Sequence, residues 1–224
     1  VTGSGFTPNT KFILFVDRNG NGVFDESMYR DGTTTTSGTV SVTGESWPSS
    51  PTGIYNFLLD LGKDGTIDAS ASIVITPSIY FSTPRGNPET NIGMNIDGFQ
   101  ANATGYVWFD TNGNGIWDEG ENQASVTTGG AGTATSPGLY VPSVTPGPYQ
   151  VCAEIPVGGL KASTTYTVRG VALNPSSGTA GTNIAIKGYG YAPNKTSGYY
   201  IWFDTNGNGT WDADETKVEV TTDA

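Results

Sequence analysis

The chain has 224 residues, a net charge of −11 and an isoelectric point near 4.2, with no histidine and a single cysteine. This balance excludes a nucleic-acid binder, which needs a basic footprint, and it excludes histidine-dependent nucleophile pairs and an intrachain disulfide. Glycine is abundant at 32 residues and no window sustains a helical period, so the composition points to an all-β protein with many turns, long for one domain and comfortable for two or three.

Taken in order, residues 1–6 read as the end of a period-two strand, and Thr7-Pro8-Asn9 as a turn. Ile13-Leu14-Phe15-Val16 is a strand apolar on both faces, hence either central in its sheet or covered on its outer face. The loop after it places Asp17, Asn19, Asn21 and Asp25 at positions 1, 3, 5 and 9, Gly22 at position 6 and Val23 at position 7. That is the ligand order of a twelve-residue EF-hand calcium loop, in which position 7 gives a backbone carbonyl. Position 12 is Met28, with Glu26 and Asp31 as substitutes through a different path. A Tyr-led strand, Tyr55-Asn56-Phe57-Leu58-Leu59, leads to Asp60, Asp64 and Asp68 around Gly65. Position 3 has no ligand there, so the stretch reads as an Asp-Gly hairpin turn ahead of a metal loop. Residues 71–75 close the first copy.

The second copy opens with a strand over 90–99 and reaches Tyr106-Val107-Trp108-Phe109. The next loop carries Asp110, Asn112, Asn114, Asp118 and Glu121 at positions 1, 3, 5, 9 and 12, with Gly115 at 6 and Ile116 at 7. A short strand at 126–128 precedes a Gly-rich stretch and the residues 138–141. Pro146-Gly147-Pro148 then turns into Tyr149-Gln150-Val151-Cys152-Ala153, where Cys152 reads as a small core residue. Residues 164–168 make the last strand of this copy.

The third copy has its opening strand over 181–191, then Tyr200-Ile201-Trp202-Phe203. Its loop carries Asp204, Asn206, Asn208, Thr210, Asp212 and Glu215, and Asp204 follows Asp110 by 94 residues. A repeat of that size buries its own core, and seven or so short strands in it predict an immunoglobulin-like sandwich. The expected modules are 1–75, lacking a first strand, 76–169, complete, and 170–224, truncated, with both ends taken as cut from something longer. Asn102-Ala103-Thr104 and Asn194-Lys195-Thr196 stand at equivalent turns and make Asn102 and Asn194 candidate glycosylation acceptors.

Residues 174–191 resemble the opening of an IPT/TIG-type immunoglobulin-like domain. Residues 106–121, followed by Gly138-Leu139-Tyr140 and 146–151, are similar to the calcium-binding B-type repeats of serine-aspartate-repeat (Cna-B-like) surface proteins. The resemblance implies prokaryotic extracellular surface repeats of the kind found in stalks, adhesins, surface layers and filaments, with Ca²⁺ as the bound ion. The expectation is therefore a non-enzymatic structural protein of the cell surface or of an extracellular filament, with EF-hand-like loops as calcium staples. Its partners are neighbouring modules or further copies of itself through strand complementation, with no nucleic acid and no membrane insertion. The alternatives are an adhesin stalk or carbohydrate-binding module, and accessory modules of a secreted hydrolase. A glycan site should gather exposed aromatics on a loop face.

Overall fold

The computed structural model describes residues 1–17, 20–24, 29–43, 50–135 and 138–223, and among them there is no helix. The first copy contains β1 (Thr2–Gly3), β2 (Lys11–Asp17), β3 (Tyr29–Thr33), β4 (Val40–Ser41), β5 (Gly53–Leu61) and β6 (Ala69–Ile75). The second contains β7 (Ser78–Phe81), β8 (Arg85–Gly86), β9 (Met94–Asp97), β10 (Thr104–Asp110), β11 (Gln123–Thr127), β12 (Ala134–Thr135), β13 (Gly147–Ile155) and β14 (Leu160–Val168). The third contains β15 (Gly170–Asn174), β16 (Ala185–Tyr189), β17 (Tyr199–Trp202) and β18 (Lys217–Val220).

The second copy is a two-layer immunoglobulin-like sandwich. One sheet runs β11-β10-β13-β14-β8 and the other β12-β9-β7. All of these pairings are antiparallel except β14 with β8. The alternation seen in the sequence sets the inner face. Val107, Phe109, Val151, Ala153, Ile155 and Val168 from one sheet meet Ile79, Met94 and Ile96 from the other in a single buried cluster. Tyr149, at the start of β13, donates its hydroxyl to the Thr145 carbonyl at 2.7 Å, the tyrosine corner of such sandwiches. Tyr55 does the same to Pro51 at 2.9 Å at the start of β5.

The first copy has the sheet β3-β2-β5-β6 and the ladder β1-β4, around Phe12, Leu14, Val40 and Leu59. The strand at its opening is the short β1. In the third copy the described residues form two ladders, β15-β16 and β17-β18. Successive copies touch through the turn that follows β9 in the second copy and β16 in the third. The Thr52 amide donates to Phe99 O at 3.4 Å, while Arg85 and Arg169 donate to the carbonyls of Tyr191 and Gly190 at 3.0 and 3.1 Å.

Tyr140 makes an isolated bridge to Asn91, and β12 pairs with β9. One expectation shifts in detail. Cys152 is buried, yet it stands opposite Trp108 on the outer face of its sheet and does not join the inter-sheet core.

Candidate metal centre

The first two loops begin where a central strand ends, and the third begins just after β17. β10 brings Asp110 to the rim of the sheet at 1% exposure, and β2 brings Asp17 there at 5%. A buried carboxylate needs donors, and the following turn provides them. Asp110 Oδ1 accepts from the Gly113 amide at 2.6 Å and Oδ2 from the Gly115 amide at 2.8 Å. Gly113 and Gly115 lie at φ +76° and +72°, the left-handed turn that glycine makes without strain. Asp204 receives the amides of Gly207 and Gly209 at 2.6 and 2.8 Å, and Asp17 those of Gly20 and Gly22 at 2.6 and 2.9 Å. The Gly209 amide is the foremost cause holding the Asp204 carboxyl below the usual aspartate range, with the amides of Gly207 and Asn208 adding to it.

The second and third loops share their principal hydrogen bonds. Asn112 and Asn114 each donate Nδ2 to Asp118 Oδ2 at 2.7 Å, and Asn206 and Asn208 each donate to Asp212 Oδ2 at 2.7 Å. Glu121 Oε1 accepts from the Thr111 amide at 2.6 Å and Oε2 from the Asp118 amide at 3.2 Å. Glu215 repeats this with Thr205 and Asp212 at 2.6 and 3.2 Å. Positions 3, 5 and 12 are thus tied to position 9 while position 1 is held by the glycine amides, and Ile116 and Thr210 occupy position 7. The donors are all oxygens, the class a hard cation selects. Among the described residues no three His, Cys, Asp or Glu side chains gather closely enough to hold a metal by themselves. A cation held here would have to draw as well on the amide oxygens of Asn112 and Asn114 and on the position-7 carbonyl. Those amide oxygens now accept the Asn114 and Ile116 amides at 3.0 and 2.7 Å, which leaves each a second lone pair.

In the first loop Asn21 Oδ1 accepts from the Val23 amide at 2.8 Å, the same turn as in the other copies. Asn19, Asp25, Glu26 and Met28 lie outside the described residues. Asp31 is on β3 and is ion-paired with Lys63, away from the loop's own hydrogen bonds. The Asp60 stretch joins β5 to β6 as a hairpin, with Asp60 accepting the amides of Asp64 and Gly65 at 3.1 and 2.9 Å.

The loop also explains the doubly apolar strand. Gly113, Asn114 and Gly115 line a cleft of about 460 Å³ with Trp108, Cys152, Lys161 and Ser163, over the outer face of β10 and β13. Trp108 is 2% exposed and its Nε1 has no partner among the described residues. Burial, then the charges of Asp110 and Glu121, push the Cys152 thiol up to about 11. Position 8 of each loop is an aromatic that stays in contact with solvent: Phe24 at 44%, Trp117 at 43% and Trp211 at 43%. Phe24 packs edge-on against Phe15 and Tyr29 at 5.3 and 5.1 Å between ring centroids, and Lys217 lies over both Trp211 and Tyr200 at 3.7 and 4.7 Å.

Reading the sequence missed a threonine. Thr128 is 2% exposed; its hydroxyl accepts the Ala103 amide at 3.0 Å and donates to the Gln100 carbonyl at 2.6 Å. Thr34 and Thr222 clamp the equivalent turns. Those turns hold Asn9, Asn102 and Asn194 at φ between 51° and 57°, so both candidate glycosylation residues sit exposed at matching bends. The 94-residue recurrence of Thr34, Thr128 and Thr222 was the available signal.

No family model and no curated protein matches the chain. A solved structure of a tetra-tandem repeat in the extending region of a large adhesion protein is 17% identical, with a TM-score of 0.32, covering 100% of this chain and 58% of that one. The FN1–FN3 domains of chicken CNTN1 are 13% identical, with a TM-score of 0.25, covering 73% of this chain and 56% of that one. The chain thus spans a little over half the length of either structure. Neither likeness adds to what the strand pairing already establishes.

Proposed function

We propose that this chain is a structural segment of a prokaryotic cell-surface or extracellular-filament protein, built from modules 1–75, 76–169 and 170–224 and stiffened by Ca²⁺ at the three loops. One observation supports the reading: the second and third loops repeat the same set of carboxylate, side-chain amide and backbone hydrogen bonds, each just after the corresponding strand. A solvated turn has no need of two asparagines converging on one aspartate, nor of a glutamate folded back over position 2. The loops follow strands, so there is no helix pair for an ion to open. Cross-linking a rim is what remains, and it takes the place that disulfides hold in other extracellular domains. No helix among the described residues is long and apolar enough to cross a membrane. Glycans on Asn102 and Asn194 fit the exposed, matching bends.

An ion that binds only the folded chain stabilises it by about 2.7 kcal/mol at a hundredfold excess over Kd. Thermal melting in calcium and in chelator measures this directly. We expect the chelated chain to melt several degrees lower and to be cut by proteases within the loops. Equal melting points and equal cleavage patterns in the two buffers overturn the calcium assignment.

A further inference from the structure

The loops contain six Asn-Gly pairs: Asn19-Gly20, Asn21-Gly22, Asn112-Gly113, Asn114-Gly115, Asn206-Gly207 and Asn208-Gly209. Asparagine before glycine is chemically labile. The glycine nitrogen attacks the side-chain Cγ, a new N–Cγ bond forms, and the Cγ–Nδ2 bond breaks to release ammonia. The proton lost from the backbone nitrogen leaves with it. Water then opens the succinimide to aspartate or to isoaspartate, which inserts a methylene into the main chain. Glycine permits this because no Cβ obstructs the approach.

We infer that the loops are built to hold this reaction off, with the position-1 aspartate restraining the nucleophile and the position-9 aspartate restraining the leaving group. All six glycine nitrogens at risk donate to a position-1 carboxylate, at 2.6 to 2.9 Å. To reach Cγ each must break a charge-assisted hydrogen bond. The same carboxylate opposes the amide anion that performs the attack, as a like charge does. On the other side, the Nδ2 atoms of Asn112 and Asn114 are both held by Asp118, and those of Asn206 and Asn208 by Asp212, all at 2.7 Å. Asn112 Oδ1 and Asn114 Oδ1 are tied to backbone amides two residues on, at 3.0 and 2.7 Å, which fixes the side-chain planes. Three position-1 aspartates thus hold all six nucleophiles and two position-9 aspartates hold four of the leaving groups, through the chain's own hydrogen bonds and independently of any cation.

The test is peptide mapping by mass spectrometry of the full chain aged in mildly alkaline buffer with chelator, folded and in urea. We expect Asn112, Asn114, Asn206 and Asn208 to convert at least about tenfold more slowly in the folded chain. Asp110→Ala should release Asn112 and Asn114 by about tenfold while Asn206 and Asn208 stay slow, with an unchanged near-ultraviolet circular-dichroism spectrum showing that the second copy remains folded. Asp110→Asn, which keeps an acceptor but removes the charge, should fall between. Equal rates in folded and unfolded wild-type chain overturn the proposal. So does an Asp110→Ala chain in which Asn112 and Asn114 remain as slow as in wild type.

Discussion

Thr128 shows how much one hydroxyl carries at a bend. It is buried, accepts from the Ala103 amide and donates to the Gln100 carbonyl, so both backbone groups depend on it. Replacing it with valine keeps the shape and leaves a buried donor and a buried acceptor unmet, which costs about 1–3 kcal/mol. We expect Thr128→Val to lower the urea midpoint with an unchanged slope, and Thr128→Ser to retain most of the stability. A valine variant as stable as wild type would show that water replaces the hydroxyl. Cys152 illustrates the other side of residue-scale reading. Its apolar neighbours in the sequence give burial correctly, but only the register opposite Trp108 places it on the outer face, beside the acids that raise its pKa.

Among the elements, the 94-residue recurrence was legible because the glycine and aspartate positions of a tight loop tolerate little variation. The β2 and β10 strands, their loops and the Tyr-led β5 and β13 all follow from it. β12 was not legible. Two residues are too short a run to show alternation, Ala134 is of a type depleted in strands although Thr135 favours them, and pairing with Ile96 and Asn95 is a long-range contact that local sequence does not encode. The cover over Trp108 was equally hidden, since two apolar faces fit both a buried strand and a contact surface, and the path of the loop decides. Gly105 is a sharper case. A Cβ there would lie 2.1 Å from the Glu154 carbonyl oxygen and 2.8 Å from Ile155 Cα, both backbone atoms of β13. The other copies place Phe12 and Tyr199 at this position, so no repeat-wide rule announces the close approach. Gly105→Ala must push β10 and β13 apart. We expect a loss of about 1–3 kcal/mol, the range of core overpacking, read as a lower and broader thermal transition. An unaltered transition would mean that the strands yield freely at this end.

For the molecule as a whole, the question is what meets β17. In the first two copies the corresponding strands, β2 and β10, are paired on both edges, with β5 and β13 as the Tyr-led neighbours. β17 is paired with β18 alone among the described residues. The consequence shows in the side chains. Phe109 is fully buried whereas its counterpart Phe203 is 69% exposed, and Trp202 is 37% exposed against 2% for Trp108. Covering one such aromatic is worth about 1.5–3 kcal/mol, and an unpaired strand edge offers main-chain hydrogen bonds as well. The occupant that fits is a Tyr-led hairpin of the kind formed by β13 and β14. A synthetic peptide spanning residues 147–168, added to the full chain, should therefore bind saturably and shift tryptophan emission to the blue as Trp202 loses water. Ile201→Lys, which puts a charge on the face to be covered, should abolish the shift. The peptide carries only Glu154 and Lys161 and so no net side-chain charge, and added salt should leave the association nearly unchanged. If the emission stays fixed at every peptide concentration, strand complementation is not how these modules assemble, and contacts such as Arg85 with Tyr191 must carry the assembly on their own.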